Sequence, residues 1–105
     1  MSKLFVDKPK YITRGIDQEL PIELQLFLWT CIERLISQGI EIDYLQVFDV
    51  DSSEVEGRYL VSVKHSQEVP EYAAEYLVTC TLKITGKIFV IDDGAYVTML
   101  WSSEY

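Results

Sequence analysis

The segment that most constrains the fold is PIELQLFLWTCIERLISQ, residues 21–38. Pro21 suits the first position of a helix, where its missing N–H costs nothing, and Gly39 suits a left-handed cap at the other end. Helical spacing stacks one set of apolar side chains on a single face: Leu24, Leu28, Cys31 and Leu35. The sequence therefore predicts one long amphipathic helix that packs this face on a sheet.

The same helix carries a second apolar stripe on an adjoining face. Its members are Ile22, Leu26, Trp29 and Ile36. A helix that covers one sheet needs only the first stripe, so the second requires its own cover: a curled sheet edge, the N-terminal arm or another subunit. We take these four residues as interaction candidates, with a symmetric homodimer as one expected arrangement and burial within the chain as the other.

Alternating apolar and polar residues predict the strands. The expected strands are 10–16, 43–51, 58–65, 76–84, 87–92 and 95–101. Residues 17–20 are expected to turn. With Asp93-Gly94 as a two-residue hairpin loop, Ile91 pairs with Tyr96 and Phe89 with Thr98. The predicted fold is α+β, with one long helix packed on a mostly antiparallel five- to six-stranded sheet in the order β-α-β-β-β-β-β.

Length and charge limit the classes of partner. A chain of 105 residues fits a single domain, 1–105, with 1–9 as a flexible or docking arm. Its net charge of −8 repels phosphate backbones, so we expect no direct nucleic-acid partner. No apolar run approaches the roughly 20 residues of a membrane span, so we expect no association with a membrane.

The two cysteines indicate a reducing compartment, since a domain with an adequate core needs no disulfide framework. Cys31 and Cys80 both lie on predicted apolar stripes, where a thiol is usually an inert small hydrophobe. We therefore expect both thiols to be buried and unoxidised, and the protein to be cytoplasmic.

The stretch HSQEVPEY, residues 65–72, is the local candidate for a pocket. The candidate residues are His65, Gln67, Glu68 and Tyr72. Pro70 disrupts any helix that would gather metal ligands here, and an extended chain separates His65 from Glu71 by roughly 20 Å.

The favoured interpretation is structural: His65 ends a strand, and Gln67 and Glu68 satisfy backbone groups at a turn. We predict no metal, no cofactor and no catalytic residue. His65→Ala is then expected to cost at most about 1 kcal/mol, the size of one lost hydrogen bond.

Six segments carry a family resemblance. They are YITRGI (11–16), LPIELQLFLW (20–29), DYLQVF (43–48), HSQEVPEY (65–72), FVIDDG (89–94) and TMLWSSEY (98–105). Together they resemble the small Gram-positive bacterial family catalogued as domain of unknown function 960. The resemblance implies a cytosolic bacterial protein of about this size, and it supplies no catalytic residue.

These observations favour a small acidic, non-enzymatic interaction or regulatory module that binds a protein partner or itself. One alternative is an acidic mimic that blocks a basic nucleic-acid-binding surface, which requires carboxylates at phosphate-like spacing on one face. The other is a small-ligand binder or enzyme with a site near His65, which requires a concave pocket and a perturbed pKa there.

Overall fold

The computed structural model describes residues 4–105. Six strands form one sheet: β1 (Lys10–Ile12), β2 (Leu45–Val55), β3 (Arg58–Gln67), β4 (Tyr72–Cys80), β5 (Thr85–Asp92) and β6 (Val97–Trp101). The helices are α1 (Arg14–Glu19) and α2 (Ile22–Ser37), and a 3₁₀ turn spans Ser102–Glu104. The strand order is β1-β6-β5-β2-β3-β4. Only β1 and β6 pair in parallel among these strands. The α+β prediction is confirmed.

Helix α2 lies where the sequence predicted it. Pro21, predicted as the first helical residue, occupies the N-cap position instead, and the helix begins at Ile22. Gly39 follows the end of the helix with a φ of 76°. Its buried side chains are Leu24, Gln25, Leu28, Cys31, Ile32 and Leu35. Most of them share one core cluster with the inward side chains of the sheet: Phe48, Val50, Val61, Val63, Ile88, Val90, Val97 and Met99. Within residues 4–105, neither helix has the length and apolar character needed to cross a membrane.

The predicted first strand, 10–16, is wrong at its second half. Strand β1 ends at Ile12, and Arg14–Glu19 forms helix α1 in place of the predicted strand end and turn. The hydroxyl of Thr13 caps this helix by accepting from the Ile16 N–H at 3.3 Å. Burial of Ile16 in the core fixes the helix against the sheet, an interaction that the local sequence does not reveal.

The predicted hairpin register is also wrong. Ile91 pairs with Thr98 rather than Tyr96, so the loop comprises residues 93–96. The carboxylate of Asp93 accepts from the N–H groups of Ala95 and Tyr96, both at 3.1 Å, and this holds the longer loop. A slip of two residues leaves every side chain on its predicted face, because the side-chain period of a strand is two.

Strand β4 begins earlier than predicted. It runs over Tyr72–Cys80 instead of 76–84, and β3 continues past His65 to Gln67. Gln67 pairs with Tyr72, so residues 68–71 form the turn of a hairpin. The candidate stretch 65–72 is therefore the end of β3, a turn and the start of β4.

The N-terminal arm docks on the sheet over the described residues 4–9. Phe5 is buried, and its N–H donates to the Asp92 carboxylate at 2.8 Å. The ammonium of Lys8 pairs with the same carboxylate at 2.8 Å. Burial opposes the ionised form of Asp92, but these donors outweigh it and hold its pKa below the usual value. The arm was predicted over residues 1–9, of which residues 1–3 lie outside the described chain.

The cysteines differ in exposure. Both are free thiols, but Cys31 is buried whereas Cys80 is half-buried at the end of β4. Burial raises the pKa of Cys31 to about 11. The expectation of full burial holds for Cys31 and is wrong for Cys80, because β4 ends there.

Candidate functional site

His65 lies in the core of the protein. It is 0% exposed, because it continues the inward series of Val61 and Val63 along β3. Its ring stacks on Phe48 with centroids 4.4 Å apart and planes 15° apart, and Tyr72 meets it edge-on at 5.6 Å. These contacts make the imidazole part of the aromatic packing under the helices.

A chain of buried amides determines which ring nitrogen of His65 carries the proton. The Gln67 amide nitrogen donates to two backbone carbonyls, those of Glu41 at 3.0 Å and Pro70 at 2.8 Å. Its oxygen therefore faces Gln46, whose amide nitrogen donates to it at 2.8 Å. The remaining Gln46 oxygen lies 2.6 Å from His65 Nε2. Because a carboxamide oxygen only accepts, His65 carries its proton on Nε2.

The other ring nitrogen has no such support. His65 Nδ1 is buried and has no hydrogen-bond partner in the described chain. A proton there would place a charge and an unpaired donor in the core, and burial accordingly lowers the pKa of His65 to about 4. The imidazole is neutral at physiological pH, where it acts as a structural donor to Gln46.

Of the four pocket candidates, His65, Gln67 and Tyr72 come together, whereas Glu68 is exposed on the turn. Burial and the neighbouring Tyr76 raise the pKa of Tyr72. Sequence reasoning missed Gln46, which links Gln67 to His65. Its signal was its place in the inward alternation with Phe48 on β2.

Two clefts lie away from this cluster. One cleft of about 510 Å³ lies between the start of α2 and the β2–β3 hairpin, and Glu23, Arg58 and Cys80 are among its lining residues. A second, of about 410 Å³, lies beside the C-terminal 3₁₀ turn. Across residues 4–105, no three side chains of the metal-binding types gather to hold an ion.

The second stripe of α2 divides in the structure. Ile22 and Leu26 are 59% and 58% exposed, whereas Trp29 and Ile36 are half-buried against the core cluster. The exposed part of the stripe is thus limited to the first two turns of the helix.

The opposite side of the sheet is a larger uncovered surface. We call it the open face. It consists of the outward side chains of β2 to β6: Leu45, Val47, Asp49, Asp51, Leu60, Ser62, Lys64, Ser66, Ala73, Glu75, Leu77, Thr79, Thr85, Lys87, Phe89, Ile91, Thr98 and Leu100. No side chain of α1 or α2 shares a core cluster with any of them.

Several apolar side chains of the open face reach solvent. Leu77 on β4 is 70% exposed and Leu45, Val47, Phe89 and Ile91 are half-buried, whereas Leu100 is buried at 8% exposure. The ring of Tyr105 lies edge-on against Phe89, with centroids 5.8 Å apart, and is itself 80% exposed. A sheet face of this composition is typical of a binding surface.

A row of alternating charge crosses the open face. Asp49 pairs directly with Lys87 on one side and with Lys64 on the other. Lys64 in turn pairs with Glu75. Across β5, β2, β3 and β4, the row thus reads Lys87, Asp49, Lys64, Glu75. We call it the charge row. The Lys87 ammonium lies 3.9 Å from the Asp49 carboxylate, with both side chains about half exposed.

Comparisons with known proteins give a family and a fold. The family model described as "Staphylococcal protein of unknown function (DUF960)" matches residues 9–104. A crystal structure of a protein of unknown function from Enterococcus faecalis is 26% identical, with a TM-score of 0.74. The alignment covers 100% of this chain and 98% of that one. No curated protein matches the sequence.

Proposed function

Because the chain belongs to the DUF960 family, whose description assigns no activity, we propose from its geometry that it is a non-enzymatic protein-interaction module. The observation that carries the proposal is the open face, a sheet surface that neither α1 nor α2 packs against, with Leu77 exposed and Val47, Phe89 and Ile91 half-buried. Partner proteins dock on surfaces of this kind, and the module would regulate the partner by binding it.

The His65 cluster supports this proposal better than it supports an enzyme. Its imidazole is neutral, enclosed and committed to Gln46, and the two clefts lie elsewhere. A general base needs access to its substrate, whereas His65 is 0% exposed. The cluster instead stabilises the inward face, which leaves binding to the outer surfaces.

The charge row gives the acidic-mimic alternative no support on the open face. A mimic of a phosphate backbone needs successive negative charges, but here a lysine alternates with each carboxylate. Two further features support a cytoplasmic location for the proposed module: both cysteines are free thiols, and one is buried in the core.

Two exposed leucines provide a matched experiment. Leu77 lies on the open face and Leu26 on the exposed helix stripe, and neither contributes to the core cluster. Partners captured on the immobilised wild-type protein from a bacterial lysate are identified by mass spectrometry. Each is then purified, and its affinity is measured by calorimetry for wild type, Leu77→Glu and Leu26→Glu.

We expect Leu77→Glu to weaken binding at least about tenfold, because it places a charge in a desolvated contact. Leu26→Glu should bind like wild type. The reverse result would assign the interface to Ile22 and Leu26 on the helix. Equal binding by all three proteins would rule out both surfaces.

A further inference from the structure

We infer that the open face binds a second copy of this chain, with the charge row as the element that selects the partner and its orientation. This inference rests on the proposed interaction function and names the partner. It differs from a dimer through the helix stripe, since Trp29 and Ile36 pack against the core of their own chain.

The order of charges in the row is self-complementary for one geometry. Consider two copies face to face, related by a two-fold axis that runs along the strands between β2 and β3. Strand β2 of one copy then lies over β3 of the other, and β5 lies over β4. Asp49 meets Lys64 of the second copy, and Lys87 meets Glu75 of the second copy. Symmetry repeats both contacts, so all four facing pairs have opposite charge.

The perpendicular two-fold axis gives the opposite result. An axis that runs across the strands, along the row, would place each residue of the row over the same residue of the second copy. Lysine would then face lysine, and carboxylate would face carboxylate. Like charges held together at an interface are strongly disfavoured. Both axes keep the strands of the two sheets aligned, as in β-sandwiches, so it is the charge row that selects between the two ways of stacking them.

The neighbouring residues fit the same geometry. Beside the charge row, Phe89, Val47, Ser66 and Ala73 form the next row across β5, β2, β3 and β4. The same axis places Phe89 over Ala73 of the second copy, and Val47 over Ser66 of the second copy. Large side chains thus face small ones, as interdigitated sheets require. Tyr105 lies against Phe89 and is available to fill the space above the partner's alanine.

The overall charge makes this face the natural place of approach. The chain carries −8, so two copies repel each other over most orientations. The charge row contains two lysines and two carboxylates, which sum to zero. With Asp51 beside the row, the open face as a whole sums to −1. A nearly neutral, partly apolar patch on an acidic protein is where a second acidic copy meets the least repulsion.

The size of the overlap sets the expected strength. Four strands spaced about 4.8 Å apart and overlapping by roughly eight residues cover about 500 Å² on each copy. The total of about 1,000 Å² is at the lower end of specific interfaces, so we expect a weak dimer. Its charge pairs contribute mainly specificity, because desolvation offsets much of their attraction.

Charge reversals test this geometry directly. Asp49→Lys makes position 49 positive, so it faces Lys64 of the second copy, and Lys64→Asp produces the matching clash between carboxylates. Each variant alone should raise the dimer dissociation constant at least about tenfold. An equimolar mixture of the two should associate again as a heterodimer, because all four facing pairs become opposite in charge. The double variant, Asp49→Lys with Lys64→Asp, should dimerise with itself.

The measurement is sedimentation equilibrium of the full chain up to about 200 µM, a range that suits a weak interface of this size. Circular dichroism checks the fold of each variant. A wild type that stays monomeric overturns the second-copy inference. The calorimetric comparison of Leu77→Glu with Leu26→Glu then tests separately whether the open face binds a different protein.

The other outcomes are equally decisive. Single variants that dimerise as wild type does place the dimer on another surface and overturn the inference. Folded single variants that stay monomeric when mixed overturn the proposed axis. If a single variant fails to fold, the double variant decides: it keeps positions 49 and 64 opposite in charge within the chain, although position 49 no longer pairs with Lys87. A folded but monomeric double variant contradicts the inference.

Discussion

The two faces of the sheet use similar residues for opposite purposes. The inward face buries Phe48 and hydrogen-bonds Gln67, Gln46 and His65 Nε2 to one another, while His65 Nδ1 has no partner in the described chain. The open face leaves Phe89 half-buried and spreads its charges in an alternating row. The contrast shows that binding potential here lies where side chains are uncovered, and that the chain's only histidine belongs to the stabilised side. Four experiments test this contrast.

The largest effect is expected from a matched pair of phenylalanines. Phe48→Ala removes a side chain that is 0% exposed and stacked on His65, so it should lower the free energy of unfolding by about 3–5 kcal/mol. Phe89→Ala removes a half-buried ring and should cost about 1–2 kcal/mol. Chemical denaturation measures both. Equal costs would mean that the open face is covered and that the contrast between the faces is wrong.

The next effect is the dependence of stability on pH. The pKa of His65 is about 4 in the folded protein and about 6.5 unfolded, so the unfolded state binds the proton first. Its contribution to stability is complete above about pH 7, falls as the pH drops from 6.5 to 4, and levels off below 4. At 1.36 kcal/mol for each pKa unit, the total loss is about 3 kcal/mol.

His65→Leu is the control, because it fills the same buried position with a side chain that does not titrate. Its unfolding free energy should fall less steeply between pH 6.5 and 5 than that of wild type, a range that avoids most carboxylate titration. Identical slopes for the two proteins would show that folding does not lower the pKa of His65.

A smaller effect separates two neighbours on the candidate stretch. Gln67→Leu leaves Gln46, the Asp43 N–H and the carbonyls of Glu41 and Pro70 without their partner, and should cost about 2 kcal/mol. Glu68→Ala changes an exposed side chain and should stay within about 0.5 kcal/mol of wild type. Thermal and urea unfolding of the pair measure both values. A larger loss of unfolding free energy for Glu68→Ala than for Gln67→Leu would mean that Glu68 belongs to the cluster around His65.

The sequence was sufficient where local rules determine structure. Pro21, Gly39 and helical spacing placed α2 within one residue at each end, and alternation found every strand of the sheet. It failed where long-range contacts decide. Asp92, the last residue of β5, binds Phe5 and Lys8 from the far end of the chain, and no local pattern predicts these contacts. The hairpin that follows Asp92 has a different register from the predicted one.

The same limit applies to the candidate site. Gln67 and Glu68 were both expected to satisfy backbone groups, and Gln67 does so whereas Glu68 is exposed on the turn. His65 was expected to end a strand, whereas it is the fully buried centre of a cluster. Its hydrogen-bond partner, Gln46, lies on another strand, so the local sequence does not predict the contact. The only local sign that His65 is buried is that it follows Val61 and Val63 on the same face of β3. Burial raises the expected cost of His65→Ala from about 1 to about 3 kcal/mol.

The smallest effect is expected at the C-terminus, where Tyr105 lies over Phe89 on the open face. Its ring is 80% exposed and meets Phe89 only edge-on, so Tyr105→Ala should lower the free energy of unfolding by about 0.5 kcal/mol. Removing the ring uncovers Phe89, and binding of a hydrophobic dye to the folded protein should increase accordingly. Urea unfolding and dye fluorescence measure the two effects. A loss of several kcal/mol would instead make Tyr105 a structural cover of the open face, and the surface left for a partner would shrink to the region around Leu77.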